Sequence, residues 1–361
     1  MRKIFTPSIH WLAVFIPLTL AGRYLLDVSP DLLFISSCLS IIPLAGWLGT
    51  ATEHLAEKAG EGVGGLLNAT FGNAAELIIA LLALNAGLVD VVKASITGSI
   101  IGNILLVLGG SFLAGGTRYS IQKFNPTAAR TLSIMLTLAS IGLIAPAMFH
   151  YFGGSENVAR EADLSFEIAL VLITTYGLSL IFSLKTHKQL FVRPLENISV
   201  KKNLILAEWS VRKSVALLVV SSVFVGWISE VLVGTVEVAA HSLGMTSVFI
   251  GVIVVAIIGN AAEHSTAVAA ALKDRMELSI GISVGSSIQV ALFVAPVLVF
   301  ASYCIGPRPM DLVFTPIEVI AIALSALITE QITGDGESTW IEGVQLISVY
   351  LIFALVFYFL P

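Results

Sequence analysis

Charge and sulfur are both scarce in this chain. Only 12% of its 361 residues are Asp, Glu, Lys or Arg, about half the share a soluble domain of this size carries. The formal net charge is -5 and there is no acidic tail or charge run, so nothing points to a nucleic-acid or acidic-substrate partner. The two cysteines, Cys38 and Cys304, sit inside apolar segments without metal-like spacing, and both are read as small buried side chains. Paired metal-spaced histidines, a His-Glu-x-x-His helix, a P-loop and a Gly-x-Ser-x-Gly elbow are all missing, which leaves no support for an enzyme or a dedicated zinc or copper centre. Gly60-Glu61-Gly62-Val63-Gly64-Gly65 has the look of a nucleotide-binding loop, but no strand precedes it.

What is abundant is hydrocarbon. Apolar residues make up 57% of the chain and the mean hydropathy is +0.95, so most of the length is expected to lie in a bilayer. Windows of about 20 apolar residues, the length a bilayer core demands, alternate with ten polar or Gly/Pro-containing breaks and predict about eleven helices. The apolar stretch Trp11 to Leu20 reads as a first spanning helix and not a signal peptide, because Arg23 stands where cleavage would fall. In this scheme fifteen of the 19 Lys and Arg residues fall on the N-terminal side and four on the other. Basic residues resist translocation, so the N-terminus is expected in the cytoplasm and the C-terminus on the opposite side. The host membrane is expected to be a bacterial-type inner or plasma membrane, or an organelle membrane.

A segment that occurs twice organises the rest. Gly72-Asn73-Ala74-Ala75-Glu76 returns as Gly259-Asn260-Ala261-Ala262-Glu263, and a Gly-Ser pair follows each Glu by 22 residues, at Gly98-Ser99 and Gly285-Ser286. The offset is 187 throughout. The two Glu residues fall on the third and eighth predicted helices, and an odd separation of five means that the copies cross the bilayer in opposite directions. The expected fold is therefore an all-α polytopic membrane protein, one N-terminal helix (1–30) and two inverted five-helix repeats (31–184 and 212–361) joined by a basic cytoplasmic linker (185–211). Inverted repeats place a binding site near the midplane, between the copies, and rock to give alternating access.

Both acids lie about 15 Å deep by the rise of a helix, where an ionised carboxylate is costly and marks a functional site. Two carboxylates, with the amide oxygens of Asn73 and Asn260 beside them, suit a hard oxygen-seeking cation such as calcium. With both Glu ionised the site carries about two negative charges and matches one calcium ion; empty, it leaves like charges in low dielectric, so protons compete with the metal. His264 either joins the proton movement or packs structurally. Ser99, Asn103, Ser286, Ser287 and Gln289 either line the site or hold helices together. Glu53 and Glu237, each just after a Gly-Thr pair, are candidate cation-attracting residues at opposite mouths, or simply solvated helix ends. No cofactor is implied; the partners are calcium and protons as substrates and the lipid bilayer, and a homo-oligomer is compatible with them.

The run Gly64-Gly65-Leu66-Leu67-Asn68-Ala69-Thr70-Phe71-Gly72-Asn73-Ala74-Ala75-Glu76, the second copy Gly259 to His264, Gly285-Ser286-Ser287-Ile288-Gln289 and Leu184-Lys185-Thr186-His187 together resemble the calcium/proton exchangers of the CAX family, within the calcium/cation antiporter superfamily. The resemblance spans nearly the whole chain. It implies Glu76 and Glu263 as alternately calcium-loaded and protonated acids, supported by Asn73, Asn260, Ser99, Ser286 and Gln289. The linker is basic where some members are strongly acidic, and the chain starts about ten residues before its first predicted helix, short of the long autoinhibitory extension of plant members. A sodium/calcium exchanger is the nearest rival; it would carry acidic or sodium-favouring groups where this chain has Asn103 and Gln289.

Overall fold

The computed structural model describes residues 9–153, 158–187 and 209–360, so most of the expected linker lies outside the described residues. Nearly everything in it is helix. A 3-10 turn, Ile9–Val14, leads into α1 (Phe15–Tyr24), and then come α2 (Pro30–Phe71), α3 (Ala74–Asn85), α4 (Val89–Ile101), α5 (Leu108–Gly116), α6 (Pro126–Gly153) and α7 (Val158–Ile181). The second half contains α8 (Val211–Ser242), α9 (Ser247–Phe249), α10 (Ala256–Gly259), α11 (Ala261–Ala271), α12 (Met276–Gln289), α13 (Ala295–Ser302), α14 (Pro316–Ile332) and α15 (Trp340–Phe359). A two-stranded antiparallel clip pairs β1 (Gln122–Lys123) with β2 (Glu337–Ser338).

Several of these elements are pieces of one helix. Wider π turns, Gly102–Val107 and Val290–Val294, join α4 to α5 and α12 to α13, and Ile250–Val255 joins α9 to α10. Shift Gly102 by the repeat offset and it falls on Gln289, the last residue before the second π turn, so both inner helices deform at matching places. Among the described residues seven helices are long and apolar enough to cross a membrane, and the pair Ser247–Gly259 and Ala261–Ala271, bent by 60°, makes an eighth if it is one span. The predicted count of eleven is not reached on that measure. α14 has 17 residues and α3 has 12, about 26 and 18 Å at the helical rise, and α1 is shorter still.

One expected break is located and one burial reading is corrected. The polar stretch 51–64, one of the ten predicted breaks, breaks at a single residue: helix continues on either side of Gly60, whose φ of 81° is open only to glycine at low cost. Cys38 is buried as expected, but Cys304 is exposed, because α13 ends at Ser302 and the turn that follows leads to Pro307 and Pro309.

Packing divides the molecule into two bodies. One apolar core is built by α2 and α8 with Ile16 of α1, and includes Ile41, Leu44, Leu48, Val225, Ile228 and Leu232. The other gathers α4 to α7 and α12 to α15 around Ile101, Leu105, Phe112, Leu292 and Leu298. Side chains of α3 and of the α9–α10 helix enter both. Between helices that already lie in a bilayer, close van der Waals packing and interhelical hydrogen bonds hold each body together.

At the end of the larger body where α4 and α14 begin, Lys93 pairs with Asp311 and also donates to Val313 O at 2.9 Å. Both side chains are mostly covered. Asp311→Ala is therefore expected to destabilise the protein by about 1–3 kcal/mol, the range for a hydrogen bond to a charged group left unmade. Thermal unfolding in detergent, compared with the native chain, checks it, and an unchanged midpoint would show the pair to be idle.

Candidate functional site

The repeated pentapeptide folds the same way twice. In each copy helix stops at the Gly-Asn pair and restarts at the first Ala, with Asn73 (φ -97°, ψ 23°) and Asn260 (φ -92°, ψ 6°) as the residues before α3 and α11. Glycine disfavours helix and loosens the backbone there. The Glu then falls in the first turn of the new helix, next to unpaired backbone N–H groups and the positive end of the helix dipole.

Neither asparagine side chain caps its own helix. Both reach across to the other repeat. Asn73 Nδ2 donates to Gln289 Oε1 at 2.5 Å, and Ser286 Oγ donates to Asn73 Oδ1 at 3.4 Å. Asn260 Nδ2 donates to Ser99 Oγ at 3.0 Å and to Ala256 O at 2.9 Å. Asn103 closes the network, donating to Asn260 Oδ1 at 3.2 Å and to Ser286 Oγ at 3.1 Å. The three asparagines and the two serines are all buried. An amide oxygen that accepts one hydrogen bond keeps a second lone pair, so Asn73 and Asn260 retain acceptor capacity at the site.

The two carboxyls converge from opposite repeats. Glu76 lies against Gly259, where a Cβ would stand 3.2 Å from Glu76 Cγ; the glycine of the second pentapeptide thus makes room for the acid of the first. Ser286 stands beside the Glu263 carboxyl, and the charges of Glu76 and Glu263 are close enough to interact. Each carboxyl has a buried oxygen, Glu76 Oε2 and Glu263 Oε2, with no hydrogen-bond partner among the described residues. A buried acceptor without a partner is costly, and a cation or a proton is what each of these oxygens would take up.

A cavity of about 680 Å³ leads to this point. Glu263, Ser286 and Gln289 line its inner end, and Gly46, Gly49, Thr50 and Glu53 of α2 line its length towards the Gly60 bend. Asn68, His10, Ser265 and Thr266 also line it. Glu76 is not among the lining residues, although its neighbours Gly72 and Ala75 are.

The other predicted residues separate cleanly. Glu53 is exposed on the cavity wall, whereas Glu237 is exposed near the far end of α8, the end where Ser242 bonds Asp31. His264 is outside the cavity lining. Ser287 donates to Ile100 O at 3.1 Å and to Ser283 O at 3.2 Å, so it fastens α12 to α4. Sequence reasoning passed over Asn68 and Thr50 as wall residues, though Asn68 lies one helical turn before Gly72 and Thr50 follows Gly49 in a pair already noted.

Broken helices in inverted repeats, meeting at a buried acidic pair reached by a cavity, define a polytopic membrane protein built as a transporter. A profile of the sodium/calcium exchanger protein family matches residues 31–185 and 213–359, and the chain belongs to that family. It is 45% identical over 368 residues to a Ca2+/H+ antiporter of Synechocystis sp., covering 97% of this chain and 96% of that one. It is 42% identical over 361 residues to the Ca2+/H+ antiporter ChaA of Bacillus subtilis, with 100% of both chains covered. The solved structure of native YfkE superposes with a TM-score of 0.84 at 39% identity, covering 98% of this chain and 100% of that one.

Proposed function

We propose that this protein is a calcium/proton antiporter in which Glu76 and Glu263 bind calcium or protons in competition. The observation that carries the reading is the pair of buried carboxylate oxygens without partners, one from each inverted repeat. The names of its relatives in Synechocystis and Bacillus subtilis supply the ion pair.

The chemistry follows from charge. Two ionised carboxylates in a membrane interior are strongly disfavoured, so the bare site is the form least able to cross. Calcium neutralises both charges, and protons on the carboxyls do the same. Either loaded form permits the two packed bodies to rock past one another, and exchange of one load for the other is what couples them. Asn73, Asn260, Ser99, Ser286 and Gln289 hold the broken helix ends in register, and the Asn oxygens add weak ligands. Glu263, at the inner end of the cavity, exchanges with solvent first; Glu76, behind Gly259, exchanges last.

Glu53 concentrates cations on the cavity wall, and Glu237 does so at the opposite mouth. The end of the molecule with Lys58, Lys273 and Arg275 is, by the bias of Lys and Arg in the sequence, cytoplasmic. The cavity then faces the cytosol, and a proton gradient drives calcium out of it or into a compartment. The repeats run over 31–184 and 212–361, with the basic stretch 185–211 between them.

The test is calcium uptake into proteoliposomes under an imposed proton gradient, with and without sodium. Asn103 and Gln289 offer neutral amides where sodium coupling would be served by carboxylates, so uptake is expected to follow the proton gradient and to ignore sodium. Uptake that requires sodium would assign the coupling ion otherwise.

A further inference from the structure

A second cavity, of about 1040 Å³, lies on the other side of α12 from the ion cavity, between α6, α7 with its π-helical extension Phe182–Thr186, and α12. Side chains such as Leu132, Met135, Leu180 and Phe182 make its walls. Gly281, Gly285 and Gln289 of α12 form its floor, and Gly281 and Gln289 also line the ion cavity, so α12 is the partition between the two. A Cβ on Gly281 or Gly285 would meet nothing within 4 Å.

The rim and the mouth differ in chemistry. Leu178 on the rim is 61% exposed and continues onto the outward apolar face of α7 with Leu170, Val171 and Ile181. That face meets acyl chains if the helix spans a bilayer. At the mouth Arg275 is part of the lining, while Arg130 and Lys185 are exposed and adjoin the lining residues Thr131 and Leu184. Within the lining Glu277 offsets Arg275, so the positive charge of the mouth comes from Arg130 and Lys185 beside it. Apolar walls this extensive do not hold water well, and basic groups at a membrane surface attract anionic headgroups.

We infer that this groove binds an anionic phospholipid of the surrounding bilayer, with an acyl chain along the glycine face of α12 and the headgroup at Arg275, Arg130 and Lys185. The chain fills the space behind the ion cavity's wall, and the basic mouth selects the headgroup. The site lies beside the ion pathway and goes beyond the exchange reaction.

The test is native mass spectrometry of the full-length protein, released from detergent after incubation with equal amounts of phosphatidylglycerol and phosphatidylcholine. Phosphatidylglycerol is expected to be retained preferentially, with roughly a fivefold loss for each cation removed in Arg275→Gln and Lys185→Gln. Ser179→Phe, which fills the groove, is expected to abolish retention of both lipids. The two charge variants lie on the surface and keep the proposal testable if the filling variant fails to fold. Retention indifferent to headgroup, or unchanged in Arg275→Gln and Lys185→Gln, overturns it. Lipid retention is read without any transport assay, so its outcome is separate from that of the antiport reading.

Discussion

Glu76→Gln and Glu263→Gln are each expected to abolish proton-driven calcium uptake while leaving the protein folded and in the membrane. Glutamine keeps the volume of the side chain and one acceptor oxygen, so the packing against Gly259 and beside Ser286 survives. What it removes is one negative charge and the group that takes up a proton. With one carboxylate left, a bound calcium ion carries an uncompensated positive charge in a low-dielectric site. Breaking a buried ion pair in this way costs about 3–5 kcal/mol, and at 1.4 kcal/mol per tenfold the uptake rate falls by roughly two to four orders of magnitude. The measurement is calcium uptake at fixed proton gradient in proteoliposomes of matched protein content, with thermal unfolding of each variant as the control. Native uptake in either variant, on a protein that melts normally, would show that the acidic pair is not the site.

Much of this site is legible in the sequence because it is written twice. An identical pentapeptide and a Gly-Ser pair at one offset identify the broken helices, the acids, the two asparagines before them and Ser99 and Ser286; Asn103 and Gln289 fall outside the offset and stand out only as polar side chains on apolar spans, and the structure joins all of these through hydrogen bonds between repeats. Other features depend on geometry that periodicity does not carry. The turn between α2's two arms is made by the φ of a single glycine, Gly60, whereas a hydropathy window registers only the polar residues around it. The π turns at Gly102–Val107 and Val290–Val294 carry no distinctive residue that a sequence pattern would flag. Ser287 and Ser286 are adjacent and chemically alike, yet about 100° of helix rotation sends one to a backbone carbonyl of α4 and the other to the asparagines.

The difference between the two halves is also invisible in a repeat, since identical motifs predict identical surroundings. Glu263 lines the cavity and Glu76 does not. The glycines before the paired serines diverge in the same sense. Gly98 lies on the backbone of the α9–α10 helix, where a Cβ would stand 2.0 Å from Val252 O, while Gly285 faces open space. Inverted repeats with one conformation each exchange those conformations when access switches sides. The position equivalent to Val252 is Gly65, which in this structure packs on Leu184. In the opposite state Gly285 would close on the backbone at Gly65, and Gly98 would part from Val252.

A pair of substitutions tests that exchange. Gly98→Leu drives a side chain into a backbone carbonyl and is expected to destabilise the described conformation by about 1–3 kcal/mol or more, the cost of overpacking. Gly285→Leu meets no protein atom in this conformation and is expected to melt like the native chain in detergent. It obstructs the opposite state instead, and a penalty of the same size slows calcium uptake by roughly tenfold or more. The trapped side is read with a cysteine at Thr266, a residue of the cavity wall, after Cys38 and Cys304 are replaced. Gly285→Leu should raise the labelling rate of that cysteine by an impermeant thiol reagent applied from the cavity side, because the cavity stays open longer. Native transport by Gly285→Leu, or native stability of Gly98→Leu, would mean that these glycines do not mark the surfaces that trade places, and the asymmetry between the halves would need a source other than alternating closure.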